Sequence, residues 1–112
     1  MNSNVFETDD EKKKAAELHK RIRDRERSDI KKVLDRSEGR RFIWRILSEA
    51  GIYRSCFSTN ALEMARLEGK RDMGNFIIQD VLSAKPDALE IMRREAINDK
   101  WLNSDSGTAE GN

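Results

Sequence analysis

The side chains able to do chemistry in this 112-residue chain are few and poorly arranged for it. Its one histidine, His19, stands between Leu18 and Lys20 in a strongly charged stretch, with no Cys or His at the spacing of a metal ligand set. Any Ser-His-Asp arrangement would have to use that histidine, in the least enclosed part of the chain. Cys56 sits between Ser55 and Phe57, the setting of a small buried thiol rather than of a nucleophile, and as the one cysteine it has no disulfide mate. The glycines are too scattered to cradle a phosphate, and no Walker-type loop is present. Glu38, Glu49, Glu63 and Glu68 remain as acid–base candidates, since paired carboxylates can divide the acid and base roles. Each has a simpler reading. Glu38 and Glu68 precede a Gly-Arg-Arg or Gly-Lys-Arg triplet that would pair with them, and Glu49 and Glu63 suit exposed helix faces. The expectation is a protein that is not an enzyme and that needs neither metal nor cofactor.

Binding chemistry is better represented. Arg40-Arg41-Phe42-Ile43-Trp44-Arg45 places cations beside an indole, a combination that grips phosphate, stacks on bases or meets a protein surface. The phrase around it occurs twice: Glu38-Gly39-Arg40-Arg41 and, 30 residues later, Glu68-Gly69-Lys70-Arg71 each open an apolar helical run. Two roles divide the cations. Glu38, Arg41, Glu68 and Arg71 are expected to form a structural clamp, while Lys20, Arg23, Arg27, Arg40, Trp44 and Arg45 are expected to face a partner.

The elements that must position these groups are helical. Charged residues make up 38% of the chain and apolar ones 37%, and the two are unevenly spread. Residues 1–41 hold seven Leu, Ile, Val or Phe, whereas residues 42–102 hold 17, so a small core belongs to the C-terminal two thirds. Residues 11–45 carry 14 bases against 7 acids, on a chain whose net charge is only +1. Such a basic segment is compatible with phosphate contact, but the interleaved acids equally describe a solvated, self-paired helix. No stretch approaches the roughly 20 apolar residues of a membrane span. The start, Met-Asn-Ser-Asn-Val-Phe-Glu, lacks the features of a signal peptide, so a cytoplasmic setting is expected.

With one proline and few β-branched residues, the fold class predicted is all-α: a small bundle of three packed helices with a long charged N-terminal helix. Residues 1–8 are read as a flexible start, 9–37 as a charged and projecting helix, 38–102 as the helical body and 103–112 as a flexible acidic tail. Thr8 with Glu11 forms a capping-box pattern, and Gly39 offers a stop. Helices follow at about 40–50, 59–83 and 86–100, the third capped by Ser58 or Thr59. Gly51 closes the second, and Pro86 marks a new start. Phe42, Ile43, Ile46, Leu47 and Ala50, then Leu62, Ala65, Met73, Phe76, Ile77, Val81 and Leu82, then Leu89, Met92, Ala96 and Trp101, are the expected core stripes. Gly69 and Gly74, inside the third helix, suggest close crossings or a kink.

Taken in order, Gly39-Arg40-Arg41-Phe42-Ile43-Trp44-Arg45-Ile46-Leu47, Ala50-Gly51-Ile52-Tyr53-Arg54-Ser55, Phe57 and Glu68-Gly69-Lys70-Arg71-Asp72-Met73-Gly74 resemble a small family of tailed-bacteriophage proteins. That family is typified by a short protein of a Bordetella podovirus and is commonly encoded near head and portal genes. The resemblance covers residues 38–95, with Asp72 where the family usually has Asn. It implies no enzymatic activity and no assigned site. It implies a minor virion or assembly component, head–tail, portal-proximal or ejection-associated, found in the virion and, during assembly, in the host cytoplasm. Its partners would be portal, adaptor, capsid or ejection proteins, or further copies of itself. A nucleic-acid-binding accessory protein and a small modulator of a host enzyme stay open as alternatives.

Overall fold

The structure is a computed structural model that describes residues 8–99. Four helices follow one another: α1 (Asp9–Leu34), α2 (Ser37–Ala50), α3 (Ala61–Ala84) and α4 (Ala88–Ile97), with no strand among the described residues. The fold is all-α. Residues 1–7, the 103–112 tail and Trp101 lie outside the described residues.

Each boundary has a local cause. At the start of α1, the Thr8 hydroxyl accepts from Glu11 N at 3.1 Å and Glu11 Oε2 accepts from Thr8 N at 3.3 Å, with Asp9, Asp10 and Glu11 in the first turn facing the positive helix end. The expected helix over 9–37 is shorter than its pattern suggested. It ends at Leu34, and a two-residue link through Asp35 and Arg36 leads into α2. Gly39 is therefore not the stop but part of α2's first turn. A Cβ there would stand 2.0 Å from the Val33 carbonyl oxygen, so only glycine lets the two helices meet this closely. Gly51 closes α2 in the left-handed region at φ 74°. α3 is capped by Asn60, not by Ser58 or Thr59, its side chain accepting from the backbone of Leu62 and Glu63 at 3.0 and 3.1 Å. α4 begins at Ala88, two residues after Pro86.

The core consists of Leu34, Leu47, Ile52, Val81, Ala88 and Met92, one or two from each helix and one from the loop after α2. All four helices therefore build the packed body, not the last three. Leu34 is fully buried, with Ile30 packed beside it, so the C-terminal third of α1 is core while Leu18 and Ile22 remain exposed.

The expected stripes need a further correction. Phe42, Leu62, Met73, Phe76 and Leu82 are exposed, Phe42 at 52% and Phe76 at 63%. The described chain is a slab of 73 × 40 × 18 Å, about two helix diameters thick, so each helix is covered on one side only. α3 carries apolar residues on opposite faces, and the face of Gly74, Ile77, Ile78 and Val81 turns inward. Gly74 decides this. A Cβ there would lie 2.6 Å from Ile52 Cγ2 and 2.8 Å from Ala50 Cβ, so α3 lies against the end of α2 at its own glycine.

Leu34→Ala should therefore cost about 2–5 kcal/mol in urea unfolding, as a fully buried leucine does. Phe76→Ala, measured on dilute protein, should cost no more than about 1 kcal/mol. Gly39→Ala, stabilising in an ordinary helix, should here destabilise by roughly 1–3 kcal/mol, because the new methyl meets backbone that has no rotamer to yield.

Candidate partner-binding site

The first turn of α2 aims Arg40 across the slab. Its Nε and Nη2 donate to the two carboxylate oxygens of Glu95 on α4, at 2.8 and 2.9 Å, and Nη1 donates to the Leu34 carbonyl oxygen at 2.9 Å. A planar guanidinium suits this fork, and the third bond satisfies one of the carbonyls left free at the end of α1. Only 16% of the Arg40 side chain is exposed, against 40% for Glu95. The bond from Arg40 holds the Glu95 carboxyl below its usual range, although partial burial opposes this. Glu95 in turn raises the Arg40 guanidinium.

Beside this pair, α2 and α4 enclose an open groove of about 1300 Å³. Phe42, Trp44, Ile91, Met92 and Ala96 supply apolar lining, and both signs of charge are present, Arg41, Arg45 and Arg94 beside Glu38, Glu95 and Asp99. The Arg45 guanidinium lies 5.6 Å from the centre of the Phe42 ring, a cation–π contact. Trp44 is half-buried against the core and tilts 40° to Tyr53, ring centres 6.1 Å apart. Among the described residues Arg41 and Arg45 make no ion pair. The groove thus combines an apolar lining with exposed cations, of which Arg94 pairs with Glu90 and Arg41 acts at longer range on Glu38 and Glu95, a mixed surface suited to a partner that brings both apolar and charged groups.

The expected division of roles changes. Arg40, expected on the partner face, is the structural clamp, and its acid is Glu95, a residue the sequence reading did not single out. The signal for Glu95 was weak: it lies 55 positions away and belongs to no motif. Arg41 is exposed and pairs with neither Glu38 nor Glu68; Glu38 instead sits 4.0 Å from Arg36. Among the described residues Arg71 pairs with no acid; it points its Nη1 at Cys56 Sγ, 3.8 Å away. The four-residue clamp of Glu38, Arg41, Glu68 and Arg71 is therefore not formed. Arg27 is taken up within the chain, Nε donating to Ser83 Oγ at 3.0 Å and Nη1 to Asp24 at 3.3 Å, so it ties α1 to α3. Lys20 and Arg23 are exposed on α1, and Arg45 is exposed on the groove.

Two of the other carboxylates each meet one cation. Glu63 holds Arg66 at 2.6 Å, and Glu49 lies 3.8 Å from Lys70. No group of three His, Cys, Asp or Glu among the described residues is placed to hold a metal ion. No described helix is long and apolar enough to cross a membrane.

The sequence profile of the Bbp19-like phage proteins matches residues 30–94. The chain belongs to the Bbp19-like phage protein family. No curated protein and no solved structure matches it at a comparable standard. The Bbp19-like segment begins at Ile30, eight residues earlier than the resemblance read from the phrases alone, and this is where α1 starts to pack. It contains Leu34, Arg40 and the core residues of α2, α3 and α4. The exposed basic part of α1, with Lys20, Arg23 and Arg27, lies outside it.

Arg40→Ala should lower stability by about 2 kcal/mol at pH 7, after discounting for the partial exposure of Glu95. The pair also sets a pH dependence. Because the folded-state pKa of Glu95 is depressed, its contribution is complete above the ordinary value of 4.5 and disappears as pH falls through the lower folded value. Wild type and Glu95→Gln should therefore differ in denaturant midpoint at pH 7 and converge only once the pH has fallen below the lowered folded value of Glu95.

Proposed function

We propose that this protein is a minor virion or assembly component of a tailed phage that works through protein–protein contacts. The carrying observation is the apolar surface left bare by an 18 Å slab: Phe42, Phe57, Leu62, Met73 and Phe76 are all exposed in one small chain. Scattered apolar residues are ordinary on a surface, but several large ones on a domain this thin favour a covering partner. Membership in a phage family supports a phage setting for that partner. Portal, adaptor, capsid and ejection proteins, at a head–tail or portal-proximal position, are the candidates this reading favours, and the α2–α4 groove with Arg41 and Arg45 is the part of the surface best suited to receive one. The protein would then be in the virion, and in the host cytoplasm before assembly.

A second reading, as a nucleic-acid-binding accessory protein, draws on Lys20 and Arg23, which are exposed on α1 outside the family segment. The neighbouring acids argue against it, since Arg27 already pairs with Asp24.

Mass spectrometry of purified virions decides between them. Peptides of this chain at a constant ratio to the portal protein are expected; a protein abundant in infected cells but absent from virions would refute the structural role. Duplex DNA binding should be weak at physiological salt. Tight binding whose salt slope shrinks by about one for each α1 cation removed would favour the second reading instead.

A further inference from the structure

Two glycines interrupt α3, and they face opposite sides of it. Gly74 is buried against Ile52 and Ala50, so its missing side chain serves a contact inside the chain. Gly69 is exposed, and a Cβ added to it would meet nothing within 4 Å. A glycine in the middle of a helix weakens it, and here no intramolecular contact requires one. Around Gly69 lie Leu62, Ala65, Met73 and Phe76, all exposed, Leu62 at 84% and Met73 at 60%. At helical geometry these five positions fall within an arc of about 80°, a continuous apolar face. Two charged residues flank it, Arg66, already bound to Glu63, and the exposed Asp72.

We propose that this face packs against the same face of a second copy of the chain, the two α3 helices running antiparallel and crossing at Gly69 on a two-fold axis. The choice of occupant comes from the order of the residues. Positions 62 and 76, and likewise 65 and 73, are placed symmetrically about 69. In an antiparallel pair centred there, Leu62 faces the partner's Phe76, Ala65 faces the partner's Met73, and the two glycines meet, so small stands opposite large and the backbones approach. This self-complementarity is what a two-fold interface demands, and an unrelated partner would impose no such symmetry. Each face extends over about 21 Å of helix, and the pair would bury on the order of 1,000 Å² in total, the lower end for a specific interface. Association should accordingly be micromolar and concentration-dependent.

The pairing deepens the structural role proposed above by naming a second copy as one partner. It is tested on the purified full chain without particles, so the two ideas fail separately. Sedimentation velocity from about 1 to about 200 µM should show a monomer giving way to a dimer with a dissociation constant of roughly tens of micromolar. Gly69→Leu fits the open space of a single chain, so helicity and the melting temperature of dilute protein should not fall, while the dissociation constant should rise at least about 30-fold. Ala65→Arg, also at an exposed position, should act the same way and guards against misfolding of the first variant. Register is read by cross-linking in a Cys56→Ser background. Gly69→Cys should form a disulfide-linked dimer under mild oxidation and Met73→Cys should not, because 73 faces 65. A wild type that stays monomeric throughout, a dimer indifferent to both wedge variants, or equal cross-linking at 69 and 73 would each overturn the proposal.

Discussion

Arg40 is where three helices are held to one another. It leaves the first turn of α2, grips both oxygens of Glu95 on α4 and gives its remaining donor to the last turn of α1 at the Leu34 carbonyl. Leu34 itself is the buried residue that α1 contributes to the core. The same few residues thus fix the end of α1 by a backbone hydrogen bond and by burial at once. Gly39, next to Arg40, allows this by removing the Cβ that would strike Val33. Take away either, and the entry angle of α1 onto the slab is no longer set.

From that constraint follows the flatness of the molecule. α1 is anchored only through its C-terminal third, by Ile30, Leu34, the bond from Arg27 to Ser83 and the ion pair of Lys85 with Asp35. Its N-terminal part is exposed along its length, and α2, α3 and α4 pack within a layer only 18 Å thick. Among the described residues six buried hydrophobic side chains form the centre of the core, with half-buried ones around them. A body of this kind buries one side of each helix and leaves the other to solvent or to a partner, which is why the reading of function rests on surfaces and not on a cleft with reactive groups.

Much of the layout was legible in the chain. The helical class follows from apolar residues at spacings of three and four, and the start of α1 from Thr8 and Glu11. Gly51 ends α2 because φ 74° suits a residue without a Cβ. The family membership was also legible, in the ordered phrases from Gly39 to Gly74. The end of α1 was not: a polar run through Asp35, Arg36 and Ser37 is as compatible with helix as with a turn, and the break is imposed by the packing of Leu34 and Gly39.

What the sequence by itself determined is therefore local: which segments are helical, how α1 begins and α2 ends, and which family the chain belongs to, because hydrogen bonding and side-chain spacing act over a few residues. Which face of α3 turns inward, and which arginine becomes the clamp, only the tertiary structure decided. α3 is apolar on two sides, and its own periodicity cannot choose between Gly74 and Gly69 until Ile52 and Ala50 close on one of them. Arg40 and Arg41 are chemically identical neighbours about 100° apart on one helix, and the one that meets Glu95 is selected by where α4 lies.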